Sequence, residues 1–321
     1  MFDGIRNNAK RALTAFCCLG AVAACDAFSP VTPTIKPQAR PAIETTAPMI
    51  KVAQATSEQS AAMRTNLRSL QSSQLTSGLL RQDGGGPDTP FTPDIFVRNF
   101  QQITFFDEYS SVGQPKGVAG NLRRWEQPIR FAVEFGASVP MTQQRKDRAD
   151  VTKFARRLSK VTGHPIALAE PANFYVLFVS EDDRANVIDQ MVGRLPGVRK
   201  ANLSSLRNLS DDTYCAVAAY SGGASNDVYT AAVAVIRSEN PDLLRLSCIH
   251  EELAQGLGLA NDSPNARPSI FNDDDEFALL TNHDEMLLKM LYDPRLKPGM
   301  SLTQATPIIR TITTELLSGP V

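Results

Sequence analysis

The residues best suited to chemistry are in the stretch Cys248-Ile249-His250-Glu251-Glu252-Leu253-Ala254-Gln255. A zinc hydrolase helix needs two imidazoles four residues apart on one face, with a glutamate beside the first. His250-Glu251 opens such a motif, but the position four residues on is Ala254, so no zinc dyad exists at this register. The chain has only three histidines, His164, His250 and His283, and none is paired at ligand spacing. His250 is expected beside the site or on the surface. One residue further along, Glu251 and Gln255 share a helix face. Glu252 is the candidate general base, a role that needs burial to raise its pKa. Adjacent glutamates leave a helix about 100° apart, so Glu251 and Glu252 are expected to diverge and not to act as a glycosidase pair. The alternative role for both is a satisfied hydrogen-bond network under a sheet.

The elements that must position this stretch read as α/β. Trp125 to Gly136 alternates Ile129, Phe131, Val133 and Phe135 with polar or small residues, as a strand with one buried face does. Thr142 to Gly163 carries Val151, Phe154, Leu158 and Val161 at helical spacing and stops at a glycine. Ile166–Ala169, Phe174–Val179, Cys215–Tyr220 and Tyr229–Ile236 are further strands, and Asp182–Met191 a helix. Pro241 opens the chemical helix, Asp242 sits in its first turn, where the dipole favours an anion, and Gly258 is expected to end it. Thr281 with Asp284 reads as a capping box, and Leu302–Leu317 as a last helix. The acidic run Asn272–Glu276 lacks the ligand alternation of a calcium loop and reads as a solvated loop.

The 321 residues carry a net charge of −1 and are 42% hydrophobic, which argues against a basic nucleic-acid binder and against a disordered chain. Residues 1–24 read as an export signal: Arg6, Lys10 and Arg11 precede thirteen apolar residues, Ala12–Ala24, too few for a span of about 20. Val22-Ala23-Ala24-Cys25 is similar to a lipobox, in which Cys25 is acylated; an ordinary cleavage site near Ala24 is the alternative. Loss of three basic and one acidic residue leaves the mature chain at −3. Residues 25–86 read as a tether, with five prolines in 26–48. Residues 49–82 suit a lone helix or disorder equally, and Asp83-Gly84-Gly85-Gly86-Pro87 reads as a hinge. In an exported protein the remaining pair, Cys215 and Cys248, suggests a disulfide contributing about 3–4 kcal/mol, with two buried thiols as the alternative.

Shifted by one residue, Glu251-Glu252-x-x-Gln255-x-x-Gly258-x-x-Asn261-Asp262 resembles the metzincin pattern His-Glu-x-x-His-x-x-Gly-x-x-His/Asp. Pro268–Asn272 resembles the Met-turn with Phe271 in place of methionine, and Leu280–Tyr292 the closing helix of matrixins. The resemblance spans about 120–295 and implies a zincin-like single domain of α/β (α+β) class, with a twisted mixed sheet and a central helix. It also implies that Glu251, Gln255 and Asn261, with Asp262 alongside, occupy the metal-ligand positions. Such oxygen donors suit calcium, magnesium or manganese better than zinc. Closer still, Arg98–Phe100, Leu122–Pro128, Glu251–Leu259 and Leu291–Met300 resemble a bacterial envelope family catalogued as domain of unknown function 2927, whose members are usually exported.

The expected organisation is a signal over 1–24, a tether over 25–86, a metzincin-like domain over 87–300 and a C-terminal helix and tail over 301–321. The expected function is non-catalytic binding of a peptide or envelope protein in the former active-site cleft. The alternatives are a metal-dependent hydrolase of protein or cell-wall peptide with Glu252 as base, or a structural envelope component. No cofactor is expected, with a divalent metal as the open alternative, and no nucleic-acid partner. The expected location is the periplasm-facing envelope of a Gram-negative bacterium, anchored through the lipid on Cys25. Cys25→Ser is predicted to abolish incorporation of labelled fatty acid and release the protein from membranes; a wild-type protein carrying no label contradicts the lipobox.

Overall fold

Phe174–Val179 is apolar at every position, which suits a strand covered on both faces. In the computed structural model it is the centre of a six-stranded, mostly parallel sheet. Residues 56–106, 119–195, 197–222, 226–272 and 274–318 are described. The segment read as a signal, Cys25 and the segment read as a tether up to residue 55 lie outside them.

The strands are β1 (Arg124–Trp125), β2 (Ile129–Phe135), β3 (Ile166–Leu168), β4 (Phe174–Val179), β5 (Cys215–Ser221) and β6 (Val228–Arg237). Their order is β1-β6-β4-β2-β3, all parallel, and β5 pairs antiparallel with β6. Eight α-helices accompany them among the described residues: α1 (Glu58–Thr76), α2 (Pro93–Phe105), α3 (Met141–Thr162), α4 (Glu181–Met191), α5 (Ser204–Arg207), α6 (Asp242–Gln255), α7 (Asn282–Leu291) and α8 (Leu302–Leu317). None of them is long and apolar enough to cross a membrane.

The period-two geometry of the strands divides their side chains between two cores. Phe131, Phe174, Val176, Phe178, Ala234 and Ile236 face the larger core, which α2, α3, α6, α7 and α8 complete. Tyr175, Leu177, Val179, Val233 and Val235 face a smaller one with Ile188 and Met191 of α4 and Leu206 of α5. One ion pair is buried between helices. Arg245 of α6 places Nε 2.7 Å from Oδ1 of Asp147 on α3, both side chains being under 5% exposed. Arg245 also donates to the Asn240 carbonyl and reaches Asp242 at 2.8 Å. Desolvation holds the Asp147 carboxyl above the usual range, with Arg245 opposing it.

Of the two alternatives for residues 49–82, a lone helix or disorder, the described part takes the helix: it forms α1, which is not alone but docks on the body of the protein. Ser57 caps the helix, Ser60 donates to Glu239 at 2.6 Å, the Gln71 amide oxygen accepts from the Leu244 N–H at 3.1 Å, and Gln74 donates to Asp275 at 2.6 Å. These docking groups are polar, so hydrophobic periodicity does not reveal them. The glycine run is a fastened turn, not a hinge: Gly84 and Gly85 adopt φ of +75° and +85°, and the Gly84 carbonyl accepts from the first N–H of α7 at 2.9 Å. The acidic run is a largely exposed loop, with Asp274 and Asp275 at the surface, and its last residue, Glu276, pairs with Arg81 at 3.1 Å and with Arg267.

Removing one member of a buried pair strands the other charge. Asp147→Ala is therefore predicted to cost about 3–5 kcal/mol in denaturant unfolding, and Asp147→Ala/Arg245→Met to recover much of that loss. A single-mutant cost below about 1 kcal/mol contradicts a dry α3–α6 pair.

Candidate functional site

The roll of α6 about its axis decides what the site contains. Ile249, Leu253 and Ala254 are buried in the larger core, where α6 packs on β5, β6 and α3. Cys248, on the same side, is bonded to Cys215 of β5, with Cα atoms 5.9 Å apart. His250 follows this buried face. Its ring stacks on Phe154 of α3, with centroids 4.0 Å apart and planes 7° from parallel. Its Nδ1 accepts from the Leu280 N–H at 3.1 Å, which leaves the proton on Nε2. Burial pushes its pKa down to about 3, and the positive charges of Arg157 and Lys153 act in the same direction. His250 is thus an internal packing residue, neither beside the site nor on the surface as expected. The other two imidazoles are also engaged elsewhere, His164 with the Gln127 carbonyl at 2.9 Å and His283 with Asn99 at 3.3 Å.

With that side fixed, Glu251, Glu252 and Gln255 line a cavity of about 330 Å³ between α6 and β5. Cys215, Ala216 and Val217 of β5 form the opposite wall, and Ser210, Asp212, Thr213 and Tyr214 the rim. The two adjacent glutamates do not diverge. Carboxylate oxygens of both and Sγ of Cys215 all lie within 4.8 Å of one another, because a glutamate side chain is long enough to turn back towards the disulfide. The Cys215 sulfur is spent in the disulfide, so it offers no thiolate to a metal. Two carboxylates remain, hard donors of the kind magnesium and calcium accept.

Of the four expected ligand positions, Glu251 and Gln255 line the cavity, and Gln255 donates to Asp262 at 3.2 Å. Asn261 is drawn away: its side chain donates to the Gln102 carbonyl and its N–H to that of Ile103, at 3.0 and 3.1 Å, closing the chain onto the end of α2. The rim was missed from sequence. Its signal is the polar run Ser210–Tyr214 ahead of an apolar strand, and Arg237 at the far end of β6 holds it in place. Arg237 is fully buried, pairs with Glu181, and donates to the carbonyls of Thr213 and Ser210 at 2.7 and 2.9 Å. The Ser210 hydroxyl holds the Asp212 carboxyl below the usual range, so that side chain is charged near neutral pH.

The helix ends earlier than expected, at Gln255, through contacts that only glycine permits. The Trp125 indole donates to the Gly256 carbonyl at 2.8 Å, and a Cβ at Gly256 would lie 2.5 Å from the Phe174 ring. Gly258, at φ +126°, turns the chain beneath the Arg123 carbonyl, where a Cβ would lie 2.5 Å away. The downstream turn is fastened by Asp284, fully buried, which accepts from the Ser269 hydroxyl, the Ile270 N–H, and both the N–H and the hydroxyl of its capping partner Thr281.

A histidine held near pKa 3 inside and about 6.5 unfolded binds more protons when unfolded. His250 stabilises fully above about pH 6.5, and that contribution fades on acidification towards pH 3. The melting temperature is predicted to fall between pH 6.5 and 4, with His250→Gln flattening part of the slope. An unchanged slope in the variant contradicts the buried, neutral assignment.

The family model described as Protein of unknown function (DUF2927) matches residues 94–311, more than half of the chain. No curated protein and no solved structure matches it. The matched span runs from α2 into α8 and takes in the whole sheet, α6 and the cavity beside it, and on that match the chain belongs to the DUF2927 family.

Proposed function

We propose that this is an exported lipoprotein whose domain has a metzincin-like shape without metzincin chemistry, and that it binds an extended peptide or protein segment in the β5–α6 cleft. The observation that carries the reading is the content of that cleft: two carboxylates and an amide from α6, with all three imidazoles engaged elsewhere. Without imidazole ligands the site lacks the means to hold zinc and bring a bound water near pKa 7. The order of the elements supports the metzincin comparison. A first strand and long helix, a central helix ended by glycines, a buried turn at Pro268–Phe271 and a capped closing helix follow one another as that resemblance implies.

Peptide binding is supported by β5. Among the described residues it pairs only with β6, every residue of it is partly exposed, and three of its residues wall the cavity. A strand with one open edge offers N–H and C=O groups to an added strand, while the neighbouring cavity takes a side chain. The lipid on Cys25 and the proline-rich tether would hold this cleft at a membrane facing the periplasm.

The convergence of the Glu251 and Glu252 oxygens favours one other reading, a metal-dependent hydrolase with Glu252 as base. Metal analysis separates the two. Protein purified from its own compartment without chelator is predicted to carry no stoichiometric zinc, and Glu252→Gln to leave its cellular role intact. One zinc per chain, lost in Glu251→Gln, contradicts the non-catalytic reading.

A further inference from the structure

We propose that the exposed face of α3 is a membrane-contacting surface, which lays a stripe of lysine and arginine side chains on anionic phospholipid headgroups. The inference needs neither the cleft nor the acyl group proposed above and concerns a different element.

Charge segregation is the first argument. The 22 residues of α3 include seven basic and two acidic ones, a net charge of 7 − 2 = +5, in a chain whose total is −1. Both acidic side chains are already paired, Asp147 with Arg245 and Asp150 with Lys146, each at 2.7 Å. Two more of the cations are engaged: Arg157 pairs with Glu285 at 2.6 Å, and Arg148 donates to the Val133 carbonyl at 3.0 Å. Arg145, Lys153, Arg156 and Lys160 are exposed, and among the described residues none of them pairs with a carboxylate. At about 100° and 1.5 Å per residue these four fall within about 80° of one another and extend over about 22 Å of helix, with Asp147 and Asp150 outside that sector. α7 adds a fifth cation. The Arg157–Glu285 pair and the His164–Tyr292 ring contact, 5.0 Å between centroids, run α7 alongside α3 in the same direction, so exposed Lys289 comes level with Lys160.

The second argument is the apolar residue beside the stripe. Met141, in the first turn of α3, is 63% exposed, the most open large apolar side chain among the described residues. It lies one turn before Arg145 and about 40° from it around the helix. A cationic row with an exposed apolar side chain at its end matches a bilayer surface, where headgroup phosphates meet the row and the acyl boundary meets the side chain. A soluble polyanion offers charge alone. A row of this length holds a membrane weakly and reversibly, so it orients a protein that is already attached better than it attaches one.

The test uses the mature chain with Cys25→Ser, which carries no acyl group, and its sedimentation with vesicles of phosphatidylcholine alone or with about 40% phosphatidylglycerol, in 50 mM salt. The anionic vesicles are expected to bind at least tenfold more protein than the neutral ones, and 300 mM salt to abolish the difference. Arg145→Gln/Arg156→Gln/Lys160→Gln is expected to lower binding at least fivefold with an unchanged melting temperature, because those side chains hold nothing in the fold. Arg68→Gln/Arg98→Gln/Lys297→Gln removes the same charge from other exposed positions and is expected to leave binding within about twofold. Equal loss in the two variants overturns the assignment to α3. Equal binding to both kinds of vesicle overturns the membrane contact itself. A chain that ignores vesicles but binds polyglutamate or duplex DNA, with loss in the α3 variant, overturns the proposal in favour of an acidic macromolecule.

Discussion

The structure depends on how α6 is rolled against the sheet. A helix with one face committed to a core has no freedom about its axis, so every side chain on it has a fixed destination. Ile249 and Leu253 bury beneath the sheet, Arg245 reaches Asp147 in a dry pair, and Cys248 is bonded to β5. These are three different forces: apolar burial, a charge that cannot be left unpaired, and a covalent link. All of them specify the same orientation, and agreement of this kind makes a single arrangement stable against its alternatives. His250 falls inside that commitment, and Glu251, Glu252 and Gln255 fall outside it.

The disulfide has a double consequence. It closes a loop between residues 33 apart, which restricts the unfolded chain. It also ties the open strand to the helix that carries the carboxylates, so the width of the cleft is set by a bond and not by side-chain packing alone. The rim has its own support in Arg237, buried at the end of β6 and shared between Glu181 and two carbonyls. A pre-shaped cleft of this kind spares an incoming chain part of the ordering cost of binding.

Much of this order was legible in the residues. The unbroken apolar run of β4, the alternation of β2, the helical spacing of α3, and the Thr281–Asp284 cap each have one dominant local cause, and each appears where that cause places it. The pair of cysteines left in the domain is joined. What was illegible depends on long-range partners. α1 docks through Ser60, Gln71 and Gln74, which look like solvent residues until Glu239, Leu244 and Asp275 are beside them. Gly84 looks like a hinge until the first N–H of α7 meets its carbonyl. Glu251 and Glu252 diverge on a helical wheel but converge in space, because the wheel records Cβ directions and not the reach of a long side chain. His250 could not be placed from its neighbours in sequence, since the partners that bury it are Phe154 and Leu280.

The central claim is that the imidazole nearest the cleft belongs to the core and takes no part in metal binding. The most direct measurement is a multiple-bond proton–nitrogen NMR spectrum of the three histidines near pH 7, recorded before and after addition of one equivalent of zinc. The account predicts a neutral His250 protonated on Nε2, with both its nitrogen shifts unmoved by zinc. A zinc-dependent shift of either His250 nitrogen, lost on replacing Glu251, would contradict it.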